Sequence, residues 1–405
     1  MNGMLLLSGV VAFLLGLLSL KRSHGLARLL HTPAAHGDGQ PAELPMVSVL
    51  APCRGIDNGF EAYARALLCQ EYPHYEVLFI VESTVDPAWH VLGRILAETP
   101  SARAALVVAG TAEGCSQKIH NLLVGLEYID AQTTTLAFVD SDAQVHRQWL
   151  KALVAALEGQ PVGATSGFRW YVPGRRSWAS SLRSAWNAAS IGLIVHPRFE
   201  FAWGGSCAIH REVFEKLHIG RAWSCGLSDD LLLTRAVRSA GLRIQFVPAC
   251  LVPSFEPCTW RELLEWTNRQ VTITRVYALH LWRVGLLVQL MNFAFGLLGV
   301  AAAVVGQWLA SGWLLSYWVL SGIGSMVVCR AATHRLAVHG CTVRQRAWPQ
   351  VLWAPAVTAL SLVSLAVSLA TRTIVWRGIS YTMLSPQQVV VHRDASAPAT
   401  SSRAP

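Results

Sequence analysis

A pair of closely spaced carboxylates is the sharpest chemical signal in this 405-residue chain. Asp140-Ser141-Asp142 ends an apolar run, TLAFVDSD, so the two acidic side chains follow what looks like a buried strand. Carboxylates one residue apart can converge on one Mg²⁺ or Mn²⁺ ion, and such an ion can clamp the diphosphate of a leaving group. Ordinary surface turns also carry this pattern, so the motif alone leaves both interpretations open.

A second acidic motif, Ser228-Asp229-Asp230, opens a helix-like run at 231–241. One of its carboxylates, held near an acceptor hydroxyl, can serve as a general base. Acidic residues at helix starts also occur for dipole reasons alone, and that simpler interpretation stays open.

Two single residues add to this set. Asp86 precedes a proline, which suits either a helix cap or a ligand-binding side chain. Lys118, in CSQKIHNL, suits either a cation directed at phosphate or an exposed helix residue. Neither residue decides a function alone.

The elements that must position these side chains alternate along residues 45–255. Apolar runs fall at 46–52, 76–83, 104–110 and 135–142, with helix-like segments near 59–70, 86–98, 116–131 and 146–158. Such alternation predicts an α/β fold with a mostly parallel sheet covered by helices on both faces. Ligands bind beyond the carboxyl ends of such strands, which is where Asp140 and Asp142 lie.

Composition indicates a membrane protein. Hydrophobic residues make up 53% of the chain and charged residues only 14%, against about 25% in a typical soluble domain. Residues 1–20 are uncharged and are followed by Lys21-Arg22, which predicts an uncleaved anchor with its basic end in the cytoplasm. Residues 284–329 hold no charge over 46 positions, enough for two further transmembrane helices.

Other segments are less decisive. The uncharged run at 347–371 is flanked by arginines on both sides, so a spanning helix and a re-entrant or interfacial helix both remain open. Trp and Arg mix at 169–186 and 260–283, which favours interfacial helices over ordinary surface helices. Residues 32–44 are predicted to be a linker, and 386–405 a disordered tail.

Two function classes are disfavoured. The net charge of +9 suits nucleic acid, but no basic patch is interleaved with a nucleic-acid motif, and much of the charge lies beside apolar runs. The nine cysteines form no CxxC pair and no metal-ligand spacing, so we expect reduced thiols.

Taken in order, the motifs form a recognisable set. They are PCRGID (52–57), Asp86, QKIHNL (117–122), DSD (140–142), HPR (196–198), GGS (204–206) and SDD (228–230). This order resembles the family-2 inverting glycosyltransferases, and within them the ceramide glucosyltransferase-like and hopanoid-biosynthesis branch. The resemblance covers about 45–280 and implies a cytosolic GT-A type domain: a mixed, mostly parallel sheet flanked by helices, between N- and C-terminal transmembrane helices.

The resemblance also implies a role for individual residues. The nucleotide-sugar-binding residues would be Pro52, Arg54, Gly55, Asp86, Lys118 and Asp140. The metal, Mg²⁺ or Mn²⁺, would be held by Asp142 with Asp140. Asp230 would be the catalytic base, supported by Asp229. The sugar and acceptor side would be lined by His196, Gly204, Gly205, Ser206 and Arg269.

One departure from the family pattern stands out. The family carries a Gln/Arg-x-x-Arg-Trp motif on the helix after the base. This chain keeps the first position as Arg269 but has Thr272-Ile273 in place of Arg-Trp. Either a nearby residue such as Arg275 substitutes, or activity is altered or lost.

The expected function is therefore transfer of a sugar, glucose or N-acetylglucosamine, from a UDP-sugar to a lipid hydroxyl such as that of ceramide or a hopanoid. The protein would be a multi-pass protein of a bacterial inner membrane. One alternative is a processive polysaccharide synthase, although three or four segments are few for a channel. The other is a membrane protein that binds nucleotide sugar without catalysis, which the departure at Thr272-Ile273 favours.

Overall fold

The computed structural model describes residues 2–32, 44–159, 161–174, 177–341, 343 and 345–393. The chain divides into two compact units. The sheet unit contains the described residues of Pro33–Arg169, Ile194–Ser254 and Arg372–Pro405. The helical unit contains those of Met1–Thr32, Trp170–Leu193 and Phe255–Thr371. The predicted linker at 32–44, part of the Trp/Arg stretch (175–176) and the tail from 394 onward lie largely or wholly outside the described residues.

The sheet unit alternates strands and helices as the sequence predicts. Its strands are β1 (Val47–Pro52), β2 (Tyr75–Val81), β3 (Ala104–Val108), β4 (Thr135–Val139), β5 (Val162–Tyr171), β6 (Ser206–His210) and β7 (Arg243–Ser254). Its helices are α2 (Phe60–Leu68), α3 (Pro87–Glu98), α4 (Gln117–Leu126), α5 (Trp149–Ala155), α7 (Arg211–Lys216), α8 (Ile219–Trp223) and α9 (Asp229–Ser239).

The seven strands form one mixed sheet in the order β3-β2-β1-β4-β6-β5-β7. Strands β1 to β4 are parallel, with Val49 paired to Val77 on one side and to Ala137 on the other. Strand β6 runs antiparallel to both β4 and β5. The expected α/β class with a mostly parallel, helix-flanked sheet is therefore confirmed.

Burial on both faces explains why these segments become strands. All six residues of β1 and all five of β4 are buried, as expected for a parallel sheet covered by helices. The largest core cluster packs Val49, Phe79 and Ala137 of the sheet with Leu67 of α2 and Trp149 of α5. The strand ends are thereby fixed, together with the loops that follow them.

A second, three-stranded sheet follows the last long helix. Strands β8 (Thr373–Trp376), β9 (Ile379–Ser385) and β10 (Gln388–His392) form it in the order β10-β9-β8. The prediction of disorder from residue 386 is therefore wrong for 388–392, because this segment pairs with β9 over the Val389–Met383 and Val391–Tyr381 register. The two turn residues between β8 and β9, Arg377 and Gly378, have φ angles of 51° and 77°.

This small sheet is an integral part of the sheet unit. Tyr381 is buried, and its hydroxyl accepts a hydrogen bond of 3.2 Å from the backbone N–H of Gln117. Arg377 donates both Nη groups to the carboxylate oxygens of Asp57 at 2.6 Å. An Arg in the left-handed region costs about 1–2 kcal/mol, so the fork-to-fork pair with Asp57 holds a strained turn in place.

Six helices form the part of the helical unit that the structure describes. They are α1 (Asn2–His31), α6 (Trp178–Ile194), α10 (Trp260–Tyr277), α11 (Leu279–Val304), α12 (Trp308–Val338) and α13 (Pro349–Ala370). Among the described residues, α1, α11, α12 and α13 are long and apolar enough to cross a membrane. Helix α1 ends eleven residues after the predicted anchor does. Helix α11 begins before residue 284, and α12 ends after residue 329.

Small residues let three of these helices pack closely. Gly9 and Gly16 of α1 lie against Trp313 and Leu320 of α12, which shows that these two helices run parallel. Gly296 and Gly299 of α11 lie against Trp318 and Leu315, so α11 runs antiparallel to α12. Close contact at glycines is typical of helices that associate in lipid.

The Arg377–Asp57 pair yields a stability prediction. Because the two side chains bind each other in bidentate fashion, Arg377→Gln and Asp57→Asn should destabilise non-additively, with a coupling of about 1 kcal/mol. Thermal unfolding of the single and double variants in detergent measures it. Arg372→Gln is the control, because Arg372 lies on the same small sheet but donates to the Leu384 carbonyl instead. Full additivity for Arg377 and Asp57 would contradict the pairing.

Candidate active site

The strand order creates a crevice where the candidate residues gather. The chain builds β1, β2 and β3 in one direction and then returns to place β4 on the other side of β1. Such a switch in strand order opens a ligand crevice beyond the carboxyl ends of the two strands. The PCRGID loop follows β1, and Asp140-Ser141-Asp142 follows β4. Both sequence-predicted motifs therefore lie at this switch point.

Lys118 connects two acidic motifs that are far apart in sequence. Its Nζ lies 2.7 Å from Oδ1 of Asp140 and 2.9 Å from Oδ2 of Asp229. Ser116 caps the start of α4, and Ser228 caps the start of α9, so Lys118 and Asp229 each sit in the first turn of a helix. The structure thus brings the end of β4 and the starts of α4 and α9 to one point.

Arg169, on β5, extends this cluster to the second carboxylate of the DSD motif. Its Nη1 and Nη2 contact Asp142 at 2.7 and 2.6 Å, and Nη2 also lies 3.1 Å from Asp140. The guanidinium carbon lies 5.1 Å from the ring centroid of Trp203, in the geometry of a cation–π contact. The result is a chain of alternating charges from Asp142 through Arg169, Asp140 and Lys118 to Asp229.

Burial and pairing set the protonation of these groups. Burial by itself would lower the pKa of Lys118, but the carboxylates of Asp140 and Asp229 outweigh it and raise that pKa. Burial opposes ionisation of Asp140 as well, yet Lys118 and Arg169 hold its pKa below the ordinary value. Asp229 has one cationic partner and two acidic neighbours, so burial raises its pKa to about 6 despite Lys118. As the pH falls, Asp229 therefore takes up a proton before Asp140 does, because its pKa is the higher of the two.

Asp230 has different surroundings from its neighbour. Whereas Asp229 is buried, Asp230 is half-buried, and its Oδ1 accepts hydrogen bonds from the Ser228 hydroxyl and, at 2.7 Å, from the Leu231 N–H. In the described part of the chain it forms no ion pair. Its carboxylate is thus oriented by helix-start donors and is not neutralised by a cation, as a proton acceptor requires.

The GGS turn passes directly against the charged cluster. A methyl group on Gly204 would collide with the Asp229 carboxylate, and one on Gly205 would lie 2.7 Å from Oδ2 of Asp140 and overlap the Trp203 ring. These two positions therefore need glycine because the backbone approaches the carboxylates closely.

The predicted nucleotide-binding residues form a neighbouring group around the PCRGID loop. Pro52 ends β1, and the Gly55 N–H donates to both carboxylate oxygens of Asp86 at 2.9 and 3.2 Å. Asp86 also caps α3 by accepting from the Ala88 N–H, so the capping interpretation is correct and the carboxylate has a second task. Arg54 pairs with Glu82, and its carbonyl accepts from Arg377.

Three predicted residues have other surroundings. His196 contacts the Phe199 ring and accepts from the Arg198 N–H through Nδ1. The hydroxyl of Ser206 accepts from the buried indole of Trp149, which places it in the core. Arg269 lies on α10 in the helical unit. Roles for these three toward sugar or acceptor stay predictions, and the contact of the Ser206 hydroxyl does not support one.

Several residues of this region were not singled out in the sequence. Arg169 was grouped with the Trp/Arg stretch at 169–186. Asp57 was included only as the last residue of PCRGID (52–57). Asp57 nevertheless links two elements, because its Oδ2 accepts from Ser141 of the DSD motif at 2.9 Å and its carboxylate binds Arg377. Glu82 pairs with both Arg54 and Arg393. The sequence marks Glu82 only by its place directly after the apolar run of β2, in IVES (80–83).

The DSD carboxylates fit a divalent cation in one respect. Nη2 of Arg169 contacts both Asp140 and Asp142, which shows that the two carboxylates converge on one cationic atom. The described residues hold no group of three His, Cys, Asp or Glu that could bind a metal on their own. Phosphate oxygens and water would therefore have to complete a coordination shell.

The raised pKa of Asp229 predicts a pH-dependent stability. The folded protein keeps this proton up to about pH 6, whereas an unfolded Asp loses it near about pH 3.9. The stabilisation from that proton is therefore lost as the pH rises from about 4 to 6. As the pH rises through this window, we expect the unfolding midpoint of the wild type to fall relative to that of Asp229→Asn, which has no group that titrates at this position. Thermal unfolding from pH 4.5 to 7.5 measures it, with Glu113→Gln as the exposed-carboxylate control; an unchanged difference would contradict the assignment.

Comparison with known proteins gives partial matches to lipid glucosyltransferases. A β-monoglucosyldiacylglycerol synthase of Trichormus variabilis is 27% identical over 154 residues, which cover 38% of this chain and 32% of that protein. Ceramide glucosyltransferase 3 of Caenorhabditis elegans is 30% identical over 88 residues, covering 22% of this chain and 19% of that protein. The chain thus matches about a third or less of the length of these relatives.

Two further comparisons cover most of the chain. A solved mannosyltransferase from Pyrobaculum calidifontis, in complex with GDP-Man and Mn²⁺, aligns over 91% of this chain and 98% of its own, at 17% identity and a TM-score of 0.49. The sequence model described as Glycosyl transferase family 21 matches residues 4–389. Because this match runs from the first long helix through the sheet unit to the C-terminal sheet, the chain belongs to glycosyl transferase family 21 and is a glycosyltransferase.

Proposed function

We propose that this protein transfers a sugar from a UDP-sugar to the hydroxyl group of a membrane lipid, with inversion at the anomeric carbon. The observation that carries the proposal is the convergence of Lys118, Asp140, Asp142 and Asp229 at the β1/β4 switch point, with Asp230 beside them. One partial relative is named as a ceramide glucosyltransferase and another as a synthase of β-monoglucosyldiacylglycerol, and both names support a lipid acceptor. Glucose is the sugar that their names favour, and N-acetylglucosamine is the other candidate.

The reaction needs a base, and Asp230 is the proposed one. The acceptor hydroxyl attacks the anomeric carbon as UDP leaves, and its proton passes to the carboxylate of Asp230. Asp229 is paired to Lys118 and serves to hold that cation at Asp140. Lys118 and Arg169 place positive charge at the switch point, where it would stabilise the charge that develops on the departing diphosphate.

Asp140 and Asp142 are the residues that would hold Mg²⁺ or Mn²⁺. Such an ion neutralises a diphosphate leaving group when it is bound. The nucleotide would lie against the PCRGID loop, where Asp86 fixes the Gly55 backbone and Glu82 fixes Arg54. We place the sheet unit in the cytosol, because Lys21 and Arg22 follow the uncharged half of α1 and nucleotide sugars are used on that side.

Two structural observations favour a second candidate function, binding of a nucleotide sugar without transfer. Thr272, which stands where the family has Arg, is buried in the helical unit. Arg275 donates to the Ser368 carbonyl, so its guanidinium is already engaged within that unit. A protein that binds nucleotide sugar without transferring it would show such a loss. Release of UDP in the presence of a lipid extract separates the two functions.

The base assignment predicts a selective loss of chemistry. Asp230→Asn keeps the size of the side chain but removes the proton acceptor, so transfer should fall by roughly 10² to 10⁴-fold. Binding of UDP-sugar should stay within a few-fold, as measured by calorimetry on the detergent-purified protein. Asp229→Asn is the matched control at the adjacent position and should cost less in turnover. Near-full activity of Asp230→Asn would show that another group is the base.

The donor set predicts that metal binding depends on nucleotide. Two carboxylates already shared with Arg169 should bind Mn²⁺ weakly alone, and a diphosphate should complete the shell and tighten binding. Electron paramagnetic resonance of free Mn²⁺, with and without UDP, measures this. Asp142→Asn should abolish the UDP-dependent binding, whereas Glu113→Gln should not. Full turnover in excess chelator, or equal Mn²⁺ affinity without UDP, would exclude this role.

A further inference from the structure

The composition of helix α13 suits a transmembrane helix, but the chain after α13 returns to the sheet unit. It is 22 residues long and apolar enough to cross a membrane. Its successor, the sheet of β8 to β10, belongs to the sheet unit through the Arg377–Asp57 and Tyr381–Gln117 contacts. The side of the membrane on which α13 ends is therefore fixed by those contacts.

A count of crossings follows from chain connectivity. Ser254, at the end of β7, and Thr373, at the start of β8, both belong to the sheet unit. The chain between them must cross the bilayer an even number of times. Three candidate spans lie in between, and α11 and α12 form an antiparallel pair joined by residues 305–307. This pair accounts for two crossings, which leaves none for α13.

The neighbours of α13 agree with this count. The indole of Trp186 on α6 donates to the Ser361 hydroxyl at 3.1 Å, and Ser364 donates to Thr267 on α10 at 3.1 Å. Arg275, near the end of α10, donates to the carbonyl of Ser368. Helix α10 carries Arg261, Glu262, Glu265, Arg269 and Arg275. A spanning α13 would carry this charged helix into the hydrocarbon, which is unfavourable.

The two faces of α13 differ in polarity: the exposed face is apolar, as contact with lipid requires. The buried face is mostly polar: it includes Thr358, Ser361, Ser364 and Ser368, beside Leu360 and Leu365. The large exposed residues are apolar: Leu352, Val363 and Leu369 are 65%, 49% and 58% exposed. Trp178, Trp260 and Trp348, at the starts of α6, α10 and α13, are exposed as well. Exposed indoles at helix starts suit the headgroup region.

The position of α10 indicates that lipid covers the exposed apolar face of α13. Helix α10 ends at Tyr277 and α11 begins at Leu279, so a single residue separates the charged helix from a spanning one. The end of α10 therefore lies at the membrane boundary on the side of the sheet unit. Because α13 packs alongside α10, its apolar face meets the same leaflet.

We propose that α13 does not cross the membrane but lies in the plane of the leaflet on the side of the sheet unit, packed with α6 and α10 as one lipid-binding surface. The occupant of that surface is the acyl and headgroup region of the bilayer. The proposal rests on insertion of α11 and α12 and not on the sugar or the acceptor. A protein without transferase activity would leave it unaffected.

Depth measurements test the orientation directly. Nitroxide labels on Leu352→Cys and Val363→Cys are eleven residues apart, about 16 Å along a helix axis. Leu287→Cys and Leu298→Cys on α11 have the same spacing and are exposed too. The start of α13 lies beside the middle of α12, where Val351 meets Gly322, and its end lies beside Trp282 of α11. In full-length protein in liposomes, with Cys69, Cys225 and Cys341 changed to Ser, we therefore expect both α13 labels to stay in the near leaflet, with a smaller difference in depth than the α11 pair. The α11 pair should differ by about 16 Å. A depth difference on α13 like that on α11 would overturn the proposal.

Sidedness provides an independent measurement. Leu384 is exposed on β9, Cys69 is exposed in the sheet unit, and Val305 lies in the turn between α11 and α12. With a membrane-impermeant maleimide, Leu384→Cys should react only from the side from which Cys69 reacts. Val305→Cys should react from the opposite side. Reaction of Leu384→Cys from the Val305 side, or of Val305→Cys from the Cys69 side, would overturn the proposed topology.

Discussion

The need to neutralise charges inside a folded domain governs the centre of the sheet unit. Lys118 and Arg169 lie among Asp140, Asp142 and Asp229, all largely removed from water. Removing one partner of such a set leaves an uncompensated buried charge, which typically costs about 3–5 kcal/mol. The surrounding structure is built to keep the set together: Gly204 and Gly205 have no side chain to intrude, and Ser228 caps the helix that presents Asp229.

The sequence predicts the acidic residues of this arrangement and Lys118, but not Arg169. Alternating apolar runs place the strands, and the rule for parallel sheets places the DSD motif at a ligand crevice. Lys118 was proposed from its motif. Arg169 was not, because a single Arg within a strand has no local pattern, and its neighbours Trp170 and Arg183 suggested a headgroup surface. Its partners lie 27 and 29 residues away, so only the sheet pairing reveals them.

The prediction of disorder after residue 386 failed for a local reason. It rested on the polar composition of the whole tail, whereas β10 contains three consecutive valines, Val389 to Val391, and pairs with the neighbouring strand β9 in a hairpin. In the helical unit, hydropathy predicts where long helices occur but averages over their faces. The serines of α13 lie on its buried face, and the mean value hides this. The spacing of Thr358, Ser361, Ser364 and Ser368 by three or four residues marks a polar stripe in the sequence, but the neighbour that covers it follows from packing alone.

The link between Arg377 and Asp57 has a consequence for biogenesis. The two residues are 320 positions apart, and every long apolar helix except α1 is synthesised between them. The seven-stranded sheet can therefore assemble while the ribosome is still producing α11, α12 and α13. The PCRGID loop must wait for its last partner until those helices have reached the bilayer. Domains fold as units during synthesis where they can. Because Arg377 is made only after α11, α12 and α13, a chain stalled during membrane insertion would hold a formed sheet whose PCRGID loop lacks its partner.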